Sequence, residues 1–535
     1  MGSTTTLLTG GRVYSPAAPD ATAMAISGDT IVWVGQDGPG RALHPDAEEI
    51  PLDGAFVTPG FVDAHVHATS SGLHLAGVDL TGTLSAQEVL SVLREAARKE
   101  PDASVLMAHG WDESGWTSSR LPTRAEIDEA VGGRPAYISR IDVHSALVSS
   151  ALVDLAPQAR DADGWSAEGP VTAACHHALR GAARAAISPQ QRDAAQRSFL
   201  AAVAARGVVS VHECAGPDIS SWDDVAALLD KTGPDTPEVV AYWGELASDA
   251  VFERAKRLGI RGLAGDLFVD GALGSRTARL RAPYEDDPSH RGRLYVDSDA
   301  IAAHLVACTS AGMQAGFHVI GDGALDAVID GFTRAEAEVG LRALVAGRHR
   351  LEHVEMIGTR EAEALARWNV TASVQPLFDE LWGGQDGMYA QRLGTERAAG
   401  LNPFSMLAAT GVLLAGGSDS PVTPVDPWRS VRAAVNHRTE GAGISPRAAF
   451  TAHTKAGYRA AGVNDGVSGT LVPGAPADYA VWEAGELVVA APDTRVQRWS
   501  TDPRSRVPGL PPLDPDAPLP TCLRTVRRGV TIYAA

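Results

Sequence analysis

The chain has 535 residues, 44% hydrophobic and 21% charged, which is the balance of a folded globular protein rather than a disordered one. Its formal net charge of −19 argues against a nucleic-acid partner, which would want a basic surface. No window approaches the ~20 apolar residues of a membrane span, the first residues lack the basic and apolar runs of a signal peptide, and Cys175, Cys214, Cys308 and Cys522 are scattered, without the spacing of a disulfide framework or a thiolate zinc cage, so a reducing cytoplasm is expected.

Residues 1–57 read as short strands broken by Gly, Asp and Pro, such as Ala23-Met24-Ala25-Ile26 and Thr30-Ile31-Val32-Trp33-Val34. Residues 466–535 share that texture, from Gly469-Thr470-Leu471-Val472-Pro473-Gly474 to a closing hairpin or edge strand around Thr525–Tyr533; the two ends are expected to pair into one β-sandwich. Between them, residues 58–465 alternate apolar strands with Ala-rich helical stretches. Eight strands are predicted: the run before His65, then Val208–Glu213, Val239–Trp243, Asp266–Asp270, Gln314–His318, Arg350–His353, Val370–Gln375 and Val412–Asp419. This predicts an α/β protein built on a (β/α)8 TIM-like barrel, whose reactive groups stand at the C-terminal ends of the strands. Residues 68–206 are too long for one connection and are expected to form an α/β insertion domain over the barrel mouth.

His65 and His67 close the run Thr58-Pro59-Gly60-Phe61-Val62-Asp63-Ala64-His65-Val66-His67. On a strand, residues two apart face the same side, so both imidazoles can grip one divalent ion. A bare His-x-His is equally the mark of two polar residues in a turn. His318 and Asp419, at two other predicted strand ends, supply the remaining ligands of a mononuclear site. Such an ion lowers the pKa of a bound water toward neutrality, and Asp419 can accept its proton. His353, after Glu352, is a second ligand candidate or a group that polarises a substrate carbonyl.

Several segments together resemble the amidohydrolase superfamily, in its YtcJ-like branch (amidohydrolase family 3, with the N-substituted formamide deformylases). They are Pro59–His67, Asp270-Gly271-Ala272-Leu273-Gly274-Ser275-Arg276-Thr277-Ala278, His318-Val319-Ile320-Gly321-Asp322, Glu352-His353, Gly417-Ser418-Asp419-Ser420-Pro421 and Gly469–Gly474. The match spans nearly the whole chain, and the DGALGSRTA run is its most specific part. The resemblance implies a metal-dependent hydrolase of non-peptide C–N bonds in small molecules, with zinc first among the candidate metals. Asp419 and His353 would be its catalytic groups, and a homodimer is usual for the family. It also suggests substrate contacts at Trp111, Asp112, His144, Arg276, Asp322 and Gln375, although Trp111 reads equally as core and Arg276 as a loop pin.

One departure stands out. Four residues before Asp270-Gly271 the family usually carries a lysine, typically carboxylated and bridging two metals; here the residue is Asp266. The chain's lysines are Lys99, Lys231, Lys256 and Lys455, none at a predicted strand end. A single ion is therefore expected, with Asp266 or Glu213 as a substitute bridge if there are two. A mononuclear deaminase of a cyclic amidine, or a non-catalytic protein of this fold, are the rival readings; the His318-x-x-x-Asp322 spacing differs from the His-x-x-Glu of such deaminases.

Overall fold

A computed structural model describes residues 5–99, 103–113, 116, 118, 120–140, 145–490, 499–500 and 508–535. The chain divides into two compact units, residues 1–67 with 200–535, and residues 68–199.

The first unit contains an eight-stranded parallel barrel. Its strands are β1 (Phe61–Val66), β2 (Val208–Ala215), β3 (Glu238–Trp243), β4 (Gly262–Leu263), β5 (Gln314–Val319), β6 (Arg350–His353), β7 (Thr371–Val374) and β8 (Leu413–Gly416), each beside its neighbour in sequence. Backbone hydrogen bonds close the ring between its first and last strands: Asp419 N–H donates to His65 O at 2.8 Å and His67 N–H to Ser420 O at 2.9 Å. The strands' outer faces and the surrounding helices share one apolar core that includes Leu263, Phe317, Leu351 and Val374. The helices have defined ends. Asp297 accepts the Ala300 N–H to start Ser298–Ala311, and Gly312, at φ 68°, ends it.

Strand four differs from its expected position. The run Asp266–Asp270 is rich in β-forming residues, but the ladder stops at Leu263, and beyond it Phe268 makes only an isolated bridge to His318. Asp266 therefore follows the end of β4 instead of starting it.

Strands from the two ends of the chain pair with each other. Phe56–Pro59 lies antiparallel to Tyr479–Glu483, with Val57 opposite Val481, in a sheet whose edge is the hairpin Thr521–Arg527 and Val530–Ala534. A second sheet holds Thr5–Thr9, Ala23–Ser27, Thr30–Gly35 and Glu48–Pro51. Leu8, Met24 and Ile26 from one sheet and Val57, Tyr479 and Val526 from the other fill a common core. The 469–474 run is turn and irregular chain, not strand, though Leu471 is buried in that core. An aromatic cluster ties the β-sandwich to the barrel: Phe61 on β1 meets the rings of Trp428 and Trp482 edge-on at 5.1 and 5.7 Å.

The second unit has a four-stranded sheet, in the order Ala146–Val148, Ala136–Arg140, Leu106–Trp111, Val78–Asp79. Alternation along Ala136–Arg140 sends Ala136 and Ile138 into one apolar core and Tyr137 into another. Helices Ala86–Lys99 and Arg124–Ala130 cover the first core, and Ala173–Ala185 the second.

Candidate metal centre

The barrel ends bring His65, His67, Asp266, His318, His353 and Asp419 to one place, and all six are buried. β1 carries His65 near its end, and His67 follows one residue past it, two positions on. Asp419 follows β8 at φ 55°, and His353 ends β6 at φ 71°. Left-handed backbone is costly for residues with a Cβ and tends to persist at functional sites.

Asp266 lies among the four rings. Its Oδ2 is 3.2 Å from His67 Nε2; its Oδ1 is 3.6 Å from His65 Nε2, 3.5 Å from His318 Nδ1 and 3.8 Å from His353 Nε2. Asp419 Oδ1 is 3.0 Å from His67 Nε2 and 3.4 Å from His65 Nε2. Three overlapping trios bring their donor atoms within 4.8 Å of one another: His65, His67 and Asp266; His65, His353 and Asp419; Asp266, His318 and His353.

The outer nitrogens of three rings are occupied. His65 Nδ1 meets Glu352 Oε2 at 2.9 Å, His353 Nδ1 meets Gln375 Oε1 at 2.8 Å, and His318 Nε2 meets Gly271 O at 3.2 Å. Each of these oxygens accepts, so each ring presents its other nitrogen inward as a lone pair when neutral. His65 Nε2, His318 Nδ1, Asp266 Oδ1 and Asp419 Oδ1 are buried without a hydrogen-bond partner. Buried polar atoms are rarely left so, and a nitrogen-and-carboxylate set of this kind suits a divalent cation.

The electrostatics agree. Burial, the largest influence, works against charge on His67 and on Asp266. It is overcome at His67 by Asp266 and Asp419, which hold the imidazole pKa well above its ordinary value. It is overcome at Asp266 by the surrounding histidines, led by His65, which hold the carboxyl well below the usual range. Carboxylates that stay ionised in a buried site are ready to ligate a cation.

Beneath this layer lies a polar network that the sequence reading missed. Arg350 is fully buried, and its Nε donates to Glu352 Oε1 at 2.6 Å, its Nη1 to His212 Nδ1 at 3.0 Å and its Nη2 to Ala64 O at 2.7 Å. Its guanidinium also lies 4.4 Å from the centre of the Tyr242 ring. The signal was available: Arg350 and Glu352 are two apart on one strand and so share its inner face. Cys214 is another omission, with Sγ near His65 and Glu352; burial pushes its thiol pKa well up, which keeps it protonated and a poor ligand.

Two aspartates act as struts. Asp63 Oδ1 accepts from Ser418 N at 2.9 Å and His65 N at 3.2 Å, tying β1 to the chain that carries Asp419. Asp270 accepts from the Ile320, Gly321 and Arg279 N–H groups at 3.0, 2.8 and 2.8 Å, fastening the DGALGSRTA loop to the end of β5. Burial raises both carboxyls to about 6.

The expected substrate contacts are placed less uniformly. Gln375 orients His353. Arg276 pairs with Asp286 at 2.7 Å, so it pins its loop. Asp322 opens the helix Asp322–Val339 and accepts the Arg281 N–H at 2.8 Å. In the second unit, Trp111 fills that unit's own core and donates to Ile138 O at 3.0 Å, while Asp112 pairs with Arg140 at 3.0 Å. His144 lies outside the described residues.

Comparison with known proteins identifies the family. The model of an amidohydrolase family matches residues 48–533. Putative amidohydrolase YtcJ of Bacillus subtilis is 29% identical over 419 residues, covering 73% of this chain and 75% of that protein. N-substituted formamide deformylase of Arthrobacter pascens is 25% identical over 463 residues, covering 81% and 83%. Among solved structures, an uncharacterized metal-dependent hydrolase from Pyrococcus furiosus aligns with a TM-score of 0.75 at 26% identity, over 89% of this chain and 98% of that one.

Proposed function

We propose, from the premise that the chain belongs to the amidohydrolase family and its YtcJ-like branch, that this metal-dependent hydrolase cleaves a non-peptide C–N bond, of the amide type, in a small molecule. The observation that carries this reading is the set of inward, unpartnered donor atoms on His65, His318, Asp266 and Asp419. The similarity to an N-substituted formamide deformylase supports the choice of bond.

A divalent cation, zinc first among the candidates, would be held by His65, His67 and Asp266, with Asp419 alongside; it would supply Lewis acidity and an acidified water. The chain's own groups do the rest. Glu352 fixes the ring of His65 so that Nε2 points inward. Asp419 is the proton carrier, taking a proton from the attacking water and delivering it to the leaving amine. Its position is fixed by the Asp419 N–H bond to His65 O at 2.8 Å.

The test is a panel of N-substituted formamides, acetamides and cyclic amides, scored for amine release by the protein as purified and after chelation. Amine release that is lost on chelation and restored by added zinc is the expected result. Release of ammonia from cyclic amidines, with no amide in the panel cleaved, would overturn the reading in favour of a deaminase.

A further inference from the structure

The position where the family resemblance leads one to expect a carboxylated lysine holds an aspartate, and the fold is shaped around it. β4 is only two residues long. After Leu263 the chain leaves the ladder and turns at Gly265, with φ +81°, where a side chain would be strained and its Cβ would lie 2.9 Å from Cys214 Cβ. The Asp266 backbone then passes so close to Gly244 that a Cβ there would sit 2.6 Å from Asp266 C and O. Two glycines thus let the main chain approach the ring of histidines closely enough for a short side chain to reach it.

We infer that Asp266 is a built-in bridge between two cations, one on the His65–His67 side and one on the His318–His353 side. This rests on the reading of the site as a metal centre and replaces the single ion expected from the sequence with two. Oδ2 faces His67 at 3.2 Å, while Oδ1 faces His318, His65 and His353 at 3.5, 3.6 and 3.8 Å, so the one carboxylate reaches rings on both sides. The trio of Asp266, His318 and His353 shares only the aspartate with that of His65, His67 and Asp266, and a third trio, His65, His353 and Asp419, joins the two sides. An aspartate carries the same single negative charge as a lysine carbamate, so the charge balance of a bridged pair is kept. No lysine can substitute. Lys99 pairs with Glu95, Lys231 donates to Ala227 O and Lys455 to Gly466 O, and Lys256 lies on the helix Asp249–Leu258. The consequence is an assembly that needs no carbon dioxide, because the bridge is encoded in the chain.

The experiment is a titration of the chelator-stripped protein with manganese(II), in bicarbonate-free buffer and again with bicarbonate added. It is read by bound-metal stoichiometry and by electron paramagnetic resonance. Two equivalents in both buffers, with the spectrum of an exchange-coupled pair, is the expected result. Asp266→Asn, checked for folding by circular dichroism, should bind about one equivalent and lose the coupling. A single equivalent in the native chain, a second that appears only with bicarbonate, or an Asp266→Asn protein that keeps a coupled pair would each overturn the bridge while leaving the metal-centre reading intact. No bound metal at all would overturn both.

Discussion

Glu352 Oε2 accepts a 2.9 Å hydrogen bond from His65 Nδ1–H, and that bond decides which nitrogen His65 offers to the centre. Burial alone would favour a neutral Glu352, but Arg350, charged and fully buried beside it, and His65 keep the carboxyl far below its ordinary range. As an ionised carboxylate it can only accept, so His65 must carry its proton on Nδ1 and present Nε2. The Arg350–Glu352 pair thus sets a ligand's tautomer from below.

Glu352→Gln should weaken metal binding by about 10–100-fold, measured by competition with a chromogenic chelator. It should also lower stability by about 3–5 kcal/mol in denaturant titrations, because the Arg350 guanidinium is left buried without its counter-charge. The double variant Arg350→Met with Glu352→Gln separates the effects: stability recovers in part, metal affinity does not. Wild-type affinity in the double variant would show that Glu352 serves Arg350 and not His65.

Asp419→Asn removes the proton carrier but leaves His65, His67 and Asp266. Turnover should fall by about 10²–10⁴-fold, the range for loss of a general acid–base group, while the purified protein retains metal. His67→Ala should behave differently and lose metal and activity together. Equal loss of metal in both variants would make Asp419 a structural ligand first.

How much of this was legible before the fold is clear from single residues. His65 and His67 were readable because a strand's period of two puts them on one face whatever the surrounding structure. His318, His353 and Asp419 followed from the same reasoning at later strand ends. Asp266 was legible as an oddity and as one of two substitute bridges, but not in its central position, since Leu267-Phe268-Val269 reads as the fourth strand and would put Asp266 at the wrong end of it. The ladder's early stop at Leu263 depends on two close approaches, Gly265 to Cys214 and Gly244 to Asp266. Neither leaves a periodic mark in the sequence. Of the substrate-contact expectations, only Gln375 followed from a strand end; in the structure Arg276 pairs with Asp286, and Trp111 packs in its own unit's core.

Gly244→Ala is a probe of that close approach. A Cβ there would lie 2.6 Å from Asp266 C and O and 2.7 Å from Leu267 N, and backbone cannot yield as a flexible side chain can. Asp266 should be pushed off its position. The expected outcome is a loss of bound metal well beyond any loss of thermal stability, whereas the same substitution at Gly38, which has open space around it and no left-handed backbone, should leave metal content unchanged. Full metal content in Gly244→Ala would mean that the carboxylate finds its place from elsewhere in the loop.

Three histidines away from the centre predict acid sensitivity. His304 Nδ1 accepts the Ala247 N–H, and His349 Nδ1 accepts the Ala315 N–H. Their other nitrogens face Leu263 O and Thr309 Oγ1, so each neutral ring is fully engaged. His453 lies between Ala449 O and Ser430 Oγ. Burial lowers all three from the ordinary 6.5 to about 4. The unfolded chain therefore takes up protons below pH 6.5 that the folded chain refuses until about pH 4. Their stabilisation is complete above 6.5 and is lost as pH falls through that window, on the order of 1 kcal/mol per pH unit for each ring. Asp63 and Asp270, raised to about 6, have the opposite sign: the folded chain binds their protons first, so acidification toward the unfolded value near 4 favours folding. The total curve is shallower for that reason, and the histidine contribution is best read by difference. In denaturant titrations from pH 7 to pH 4.5, the stability gap between the native chain and His349→Gln should narrow steadily as pH falls. A gap that stays constant would mean that His349 titrates alike in the folded and unfolded chain.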